Sequence, residues 1–119
     1  MTIEKATIRN FTSEMNSLKI IALTHKTAEL ELIGKLHLDE SRFTETLTRV
    51  KKDSGAQELM YLSTCNRVEF ILCTSASVNE DYLVSFLRSF KNELSGKEIK
   101  EIISSLSVFE NEDAIKHLD

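Results

Sequence analysis

Short apolar runs dominate the first part of the chain, and helical spacing takes over in the second. Residues 1–17 are largely polar, show no period and predict a loose arm. Leu18-Lys19-Ile20-Ile21-Ala22-Leu23-Thr24 is short, apolar and β-branched, which predicts a strand. Thr27 is placed to cap a short helix reaching about Lys35, with Leu30 and Ile33 on its inner side. Gly34 weakens that helix, because glycine costs about 1 kcal/mol in a helix interior. Asp39 or Ser41 then caps a longer helix carrying Phe43, Leu47 and Val50 at helical spacing. Lys51 and Lys52 suit its C-terminal dipole, and Gly55 suits its stop. Glu58–Ser63 reads as a second strand, apolar enough to be central. Arg67–Thr74 reads as a third, with Val68, Phe70 and Leu72 alternating with Glu69, Ile71 and Cys73. Thr64-Cys65-Asn66 forms a tight connection between the two.

Asn79 caps the next helix, whose first turn holds Glu80 and Asp81. Leu83, Phe86, Leu87, Phe90 and Leu94 make its apolar stripe, and Gly96 reads as its end. A short helix with Ile99, Ile102 and Ile103 follows, then an edge strand at Ser107–Glu110. Asn111 caps a last helix with Ala114, Ile115 and Leu118. The order βαββαβ is the split pattern of ferredoxin-like folds. The expected architecture is therefore α+β: an antiparallel sheet packed by helices, with extra short C-terminal helices. Its first and third strands are neighbours and antiparallel, so Thr24-His25-Lys26 should face Cys65-Asn66-Arg67. The chain stops at Asp119 inside a helical pattern, which predicts one folded unit over 18–119 cut from a longer protein.

Composition adds limits rather than identity. The chain has 119 residues, 41% hydrophobic and 29% charged, an ordinary globular balance for one domain. No apolar run approaches the roughly 20 residues of a membrane span. No basic start leads into an apolar block as in a signal peptide. A cytoplasmic location and no membrane partner are expected. The net charge is −4. Residues 1–60 balance nine basic against nine acidic side chains, and residues 61–119 carry six against ten. Free-standing nucleic-acid binders are usually basic, so any nucleic-acid contact here uses a small patch or another domain.

Of the two cysteines, Cys73 ends an apolar strand and reads as a small core hydrophobe. Their spacing gives no Cys-x-x-Cys pair, and two Cys with three scattered His do not make a zinc site, so no metal is expected. Cys65 sits in polar company, beside a permanent cation at Arg67, where a thiolate is stabilised. Arg67 could also grip a carboxylate through two parallel bonds. Thr, Asn and Arg are equally common in turns, so the residues alone leave both readings open. His25 and Lys26 either surround the thiol or solvate a loop end. His117, on the last helix, is either a base or a surface dipole partner. His37 has no distinguishing neighbours and is assigned no role.

Leu62-Ser63-Thr64-Cys65-Asn66-Arg67-Val68-Glu69 resembles the signature around the catalytic cysteine of glutamyl-tRNA reductases. Ala22-Leu23-Thr24-His25-Lys26-Thr27-Ala28 looks like that family's opening strand and His-Lys-Thr-Ala turn. Asn111–Leu118 looks like its later helix with a His-Leu pair. The likeness covers residues 18–119. The chain departs from the family at Ala22-Leu23-Thr24, where Gly-x-Asn is usual, at Glu29, where Pro is usual, and at Ile33-Gly34, where Arg-Glu is usual. The Cys65 segment is unaffected.

The resemblance implies an N-terminal catalytic domain, truncated before the NADPH-binding and dimerisation domains. It implies a thioester between Cys65 and the glutamyl group of glutamyl-tRNA, reduced with NADPH to glutamate-1-semialdehyde for tetrapyrrole and haem synthesis. Cys65 and His117 take the catalytic roles; Thr64, Cys65, Asn66 and Arg67 bind substrate; Ser63 and His25 form a supporting layer. The partners implied are glutamyl-tRNA, a second copy in the full-length enzyme, and the next pathway enzyme as recipient of the aldehyde. NADPH belongs to the full-length enzyme and not to this stretch, which contains no Gly-x-Gly-x-x-Gly. The competing reading is a non-catalytic ferredoxin-like module, RNA-binding or regulatory. An RNA-binding sheet stacks bases on exposed aromatics. Here the six Phe and two Tyr fall mostly on helical or core stripes, and the charge is acidic.

Overall fold

Leu18–Thr24 forms strand β1 in the computed structural model, which describes residues 18–118. The arm expected over 1–17 lies outside the described residues. The succession continues with helix α1 (Leu30–Gly34), a single 3-10 turn (Glu40–Arg42) and helix α2 (Phe43–Ser54). Strands β2 (Glu58–Thr64) and β3 (Arg67–Cys73) follow, then helices α3 (Glu80–Phe90) and α4 (Gly96–Ser105). Strand β4 (Ser107–Glu110) and helix α5 (Glu112–Leu118) complete it. The sheet order is β2-β3-β1-β4, with every neighbouring pair antiparallel. This is the α+β arrangement expected of the ferredoxin-like order, with β1 beside β3.

One expectation about the sheet is corrected: β2 is an edge strand, not a central one. Its apolar composition has a different cause. Leu59 and Tyr61 enter the helix-side core, while Met60 and Leu62 lie half-buried on the opposite face. Pleating sends alternate residues of every strand to opposite faces. Ile21, Leu23, Val68, Phe70 and Leu72 therefore join α2, α3 and α4 in the main core. Leu18, Ile20, Ala22, Ile71 and Cys73 form a smaller core under α5, which contributes Ala114. Cys73 is buried there, as its apolar strand predicts. An aromatic group anchors the main core, with Phe70 edge-on to Phe86 at 4.9 Å and to Phe90 at 5.0 Å.

The helix boundaries show four further differences. Neither Asp39 nor Ser41 caps α2: a 3-10 turn precedes the helix, Arg42 holds its N-cap position, and no side chain caps it. Thr27 does not cap α1; its hydroxyl donates to the Ser105 carbonyl at 2.8 Å. The helix opens only at Leu30, which is 58% exposed, and Ile33 and Leu36 take the inward positions. Gly96 does not end the α3 stripe. That helix breaks at Lys91, and Gly96 opens α4 behind Ser95. Ser95 and Glu98 form a reciprocal capping box, each side chain accepting the other residue's backbone N–H. Glu98 also binds Lys35 Nζ at 2.8 Å, tying α4 to the segment after α1. Asn79 and Gly55 behave as expected: Asn79 accepts the Tyr82 N–H at 2.9 Å, and Gly55 ends α2 with φ of +74°.

Candidate active site at the Cys65 hairpin

The β2–β3 connection is a two-residue hairpin. Thr64 pairs with Arg67, leaving Cys65 and Asn66 as the loop. Thr64 Oγ1 accepts the Asn66 N–H at 3.3 Å, a local bond of the kind Ser and Thr supply in turns. Cys65 is exposed at the tip. On the other side, β1 extends its pairing to Thr24 opposite Arg67, and the His25 N–H donates to the Asn66 carbonyl at 2.9 Å. The juxtaposition of Thr24-His25-Lys26 with the cysteine turn thus follows directly from the strand order.

Beside the hairpin lies a cleft of about 360 Å³, lined by His25, Leu62, Thr64, Asn66, Arg67, Glu69, His117 and Leu118. Cys65 itself is not among the lining residues; its chain neighbours Thr64 and Asn66 are. Ser63 is in phase with Leu59 and Tyr61, so its side chain belongs to the opposite, helix-side face of the sheet. Of the residues singled out in sequence, the fold brings His25, Thr64, Asn66, Arg67 and His117 to one cleft and turns Ser63 away.

The electrostatic centre of the cleft is a residue to which sequence reading assigned no role. Glu69 follows Arg67 by two positions and shares its face of β3. Its side chain is 4% exposed, yet both carboxylate oxygens are bonded. Arg67 Nε lies 3.0 Å from Oε2, and His117 Nε2 lies 3.1 Å from Oε1. A carboxylate only accepts, so the His117 Nε2 proton points at Glu69. The ring is held flat on Phe109, with centroids 4.3 Å apart and planes 16° from parallel. Burying a charge is costly unless it is paired and hydrogen-bonded, and Glu69 is both. The visible signal was a carboxylate in phase with Ile71 and Cys73, on the strand face that packs inward.

His37, also without an assigned role, bonds the same turn: Nε2 is 2.9 Å from the Thr64 carbonyl oxygen. Among the described residues, no group of three or more His, Cys, Asp or Glu is placed to hold a metal ion. No described helix is long and apolar enough to cross a membrane.

Residues 21–119 match the family described as "Glutamyl-tRNAGlu reductase, N-terminal domain". The glutamyl-tRNA reductase of Prochlorococcus marinus (strain AS9601) is 31% identical over 99 residues, covering 83% of this chain and 22% of that protein. The enzyme of that name from Aliivibrio fischeri is 26% identical over 102 residues, covering 86% and 23%. The chain thus spans less than a quarter of the length of these relatives. A solved structure, "Glutamyl-tRNA Reductase from Methanopyrus kandleri", aligns with a TM-score of 0.53 at 20% identity. It covers 87% of this chain and 21% of the other, a likeness of fold.

Proposed function

The chain belongs to the glutamyl-tRNA reductase family, as a match to its N-terminal domain, and on that premise we propose that Cys65 is the nucleophile of an acyl transfer from glutamyl-tRNA. The observation that carries this reading is the exposed Cys65 between Thr64 and Asn66, beside a cleft that also holds Arg67, Glu69 and His117.

The Cys65 thiolate attacks the aminoacyl ester carbonyl. A carbon–sulfur bond forms, the carbon–oxygen bond to the tRNA ribose breaks, and the ribose oxygen takes a proton. The product is a glutamyl thioester on Cys65. Arg67 keeps its Nε on Glu69 and offers its remaining donors to a substrate carboxylate. Thr64 and Asn66 orient the glutamyl group and the developing oxyanion. His117, steered by Glu69 and Phe109, positions the substrate or supplies the proton to the leaving oxygen. His25 supports the turn through its backbone and lines the cleft.

In the reaction that the family resemblance implies, a bound NADPH would supply the hydride that reduces such a thioester. Among the described residues every neighbouring strand pair is antiparallel, and the sequence holds no Gly-x-Gly-x-x-Gly turn, so the residues here do not fit a dinucleotide of that kind. We therefore assign this stretch, over 18–119, the acylation half of a cytoplasmic reaction towards tetrapyrroles. We assign NADPH binding, dimerisation and transfer of the aldehyde to the next enzyme to regions of the kind that the longer relatives have beyond the matched stretch. A base-stacking RNA module is disfavoured because Tyr61, Phe70, Phe86 and Phe90 are fully buried.

The test is single-turnover incubation with radiolabelled glutamyl-tRNA. The unaltered chain is expected to form a thioester that hydroxylamine releases, and Cys65→Ser to form none. Undiminished labelling of Cys65→Ser overturns the assignment.

A further inference from the structure

His37 takes no part in the reaction proposed above and does not line the cleft. It nonetheless grips the cysteine turn from outside. Its Nε2 lies 2.9 Å from the Thr64 carbonyl oxygen. A carbonyl only accepts, so Nε2 carries the proton. Both the neutral Nε2–H tautomer and the imidazolium can make this bond. The carbonyls on either side of Cys65 are thus both held by groups outside the hairpin. Asn66 O receives the His25 backbone N–H at 2.9 Å, and Thr64 O receives the His37 ring. The first contact is main chain and survives any substitution that keeps the strand. The second depends on one side chain, from a residue twenty-seven positions away.

The segment that carries His37 is itself anchored residue by residue. Lys91 Nζ donates to the Lys35 carbonyl at 2.8 Å, and Lys35 Nζ binds Glu98 at 2.8 Å. The Tyr61 hydroxyl donates to the Leu36 carbonyl at 2.8 Å, and the Leu36 side chain is fully buried. The segment and β2 are therefore joined twice, at Tyr61 and at Thr64. A group supported in this way can hold its acceptor, whereas a ring on an unsupported loop would move with it.

We propose that His37 is a positioning residue for Cys65: its bond to the Thr64 carbonyl fixes the peptide frame from which the thiol is presented. The inference rests on Cys65 being the nucleophile. Reacting atoms must be held about 3–3.5 Å apart before the bond forms, and a misplacement of about 1 Å costs about a hundredfold in rate. The Thr64–Arg67 pair closes the turn from within the hairpin, and the His37 ring adds a restraint on the Thr64 carbonyl from outside it.

The test compares His37→Asn, whose amide is too short to reach Thr64, with His37→Gln, whose amide nitrogen takes nearly the place of Nε2. His37→Leu serves as a second ablation should His37→Asn fail to fold. Amide hydrogen exchange at Asn66 and Arg67, the amides that bond to or pair with Thr64, and single-turnover acylation by glutamyl-tRNA are both read, with thermal melting as the control for folding. His37→Asn is expected to exchange at least about tenfold faster at those two amides and to acylate about ten- to a hundredfold more slowly, while the β1–β3 core amides keep their protection. His37→Gln is expected to recover both to within a few-fold. A folded His37→Asn that matches the unaltered chain in both readouts overturns the proposal, as does a His37→Gln no better than His37→Asn. If Cys65→Ser still acylates, the nucleophile reading fails and this one with it. If only the His37 variants are indifferent, this one fails alone.

Discussion

His117 and Glu69 meet across forty-eight residues of sequence, with the imidazole Nε2 3.1 Å from a carboxylate oxygen that is otherwise buried. The second oxygen of that carboxylate holds Arg67 at 3.0 Å. One side chain thus sets the position of two groups that the proposed chemistry uses. Glu69→Gln keeps the shape and removes the charge that both partners seek. It is expected to lower stability by about 1–3 kcal/mol, the usual cost of losing charge-assisted bonds at a buried site. In a domain of this size that lowers the melting temperature by several degrees. An unchanged melting curve would mean that the charge contributes nothing to folding.

Arg67→Lys retains the cation and loses the planar fork. Because Nε is committed to Glu69, the substrate contact proposed for Arg67 falls to the remaining guanidinium nitrogens, whose planar fork an ammonium cannot reproduce. Substrate affinity in the acylation assay is expected to weaken about tenfold to a hundredfold, equivalent to about 1.5–3 kcal/mol. The maximal acylation rate should change much less. A variant that loses rate at saturation but binds normally would move Arg67 from binding to activation of the thiol.

Acid sensitivity should trace in part to Glu98. The Lys35 ammonium, and then the Ser95 cap, hold its carboxyl down from an ordinary 4.5 to about 2. The folded chain keeps this group ionised at acidities where the unfolded chain protonates it. Its contribution is therefore complete above about pH 4.5 and is lost as pH falls towards 2. Glu98→Gln should flatten the pH dependence of the urea midpoint across that window. Equal slopes in the two proteins would remove Glu98 from the account.

Two glycines should respond in opposite directions. Gly55 has φ of +74°, and no atom lies within 4 Å of an added Cβ, so Gly55→Ala meets backbone strain alone. A loss of about 1 kcal/mol is expected. Gly34 closes α1 with equally open space and no positive φ. Gly34→Ala should raise stability by about 0.4–1 kcal/mol by restricting the unfolded chain. Thermal melts of the two variants, side by side, check both signs.

Local chemistry was legible in the sequence wherever one segment carried the whole signal. The β1 run, the Asn79 cap and the Gly55 stop lie where residue type alone puts them. The Ser95…Glu98 capping box was also written there. Gly96 obscured it, because Leu94 prolongs the spacing of the α3 stripe. Leu94 is buried, but from a turn whose N–H bonds back to Lys91, not from the helix. The edge position of β2 was legible in the split βαβ order, which inserts β3 between β1 and β2, but not in its apolar composition, which looks the same at an edge as at the centre. The site divides in the same way. Cys65 and its neighbours form one contiguous string. Glu69 and His37 act on partners forty-eight and twenty-seven residues distant, which no local pattern encodes.

The order in which the chain leaves the ribosome gives the Glu69–His117 bond a further meaning. Synthesis runs from the N-terminus, so β1, β2, β3 and the Cys65 turn emerge before α5. A nascent chain that has reached only residue 110 already carries the exposed thiol, while the Glu69 carboxylate still has no imidazole to meet. Docking of the last described helix therefore completes the pairing of Glu69, and a chain broken off before residue 117 displays the Cys65 thiol near a carboxylate that lacks its imidazole partner.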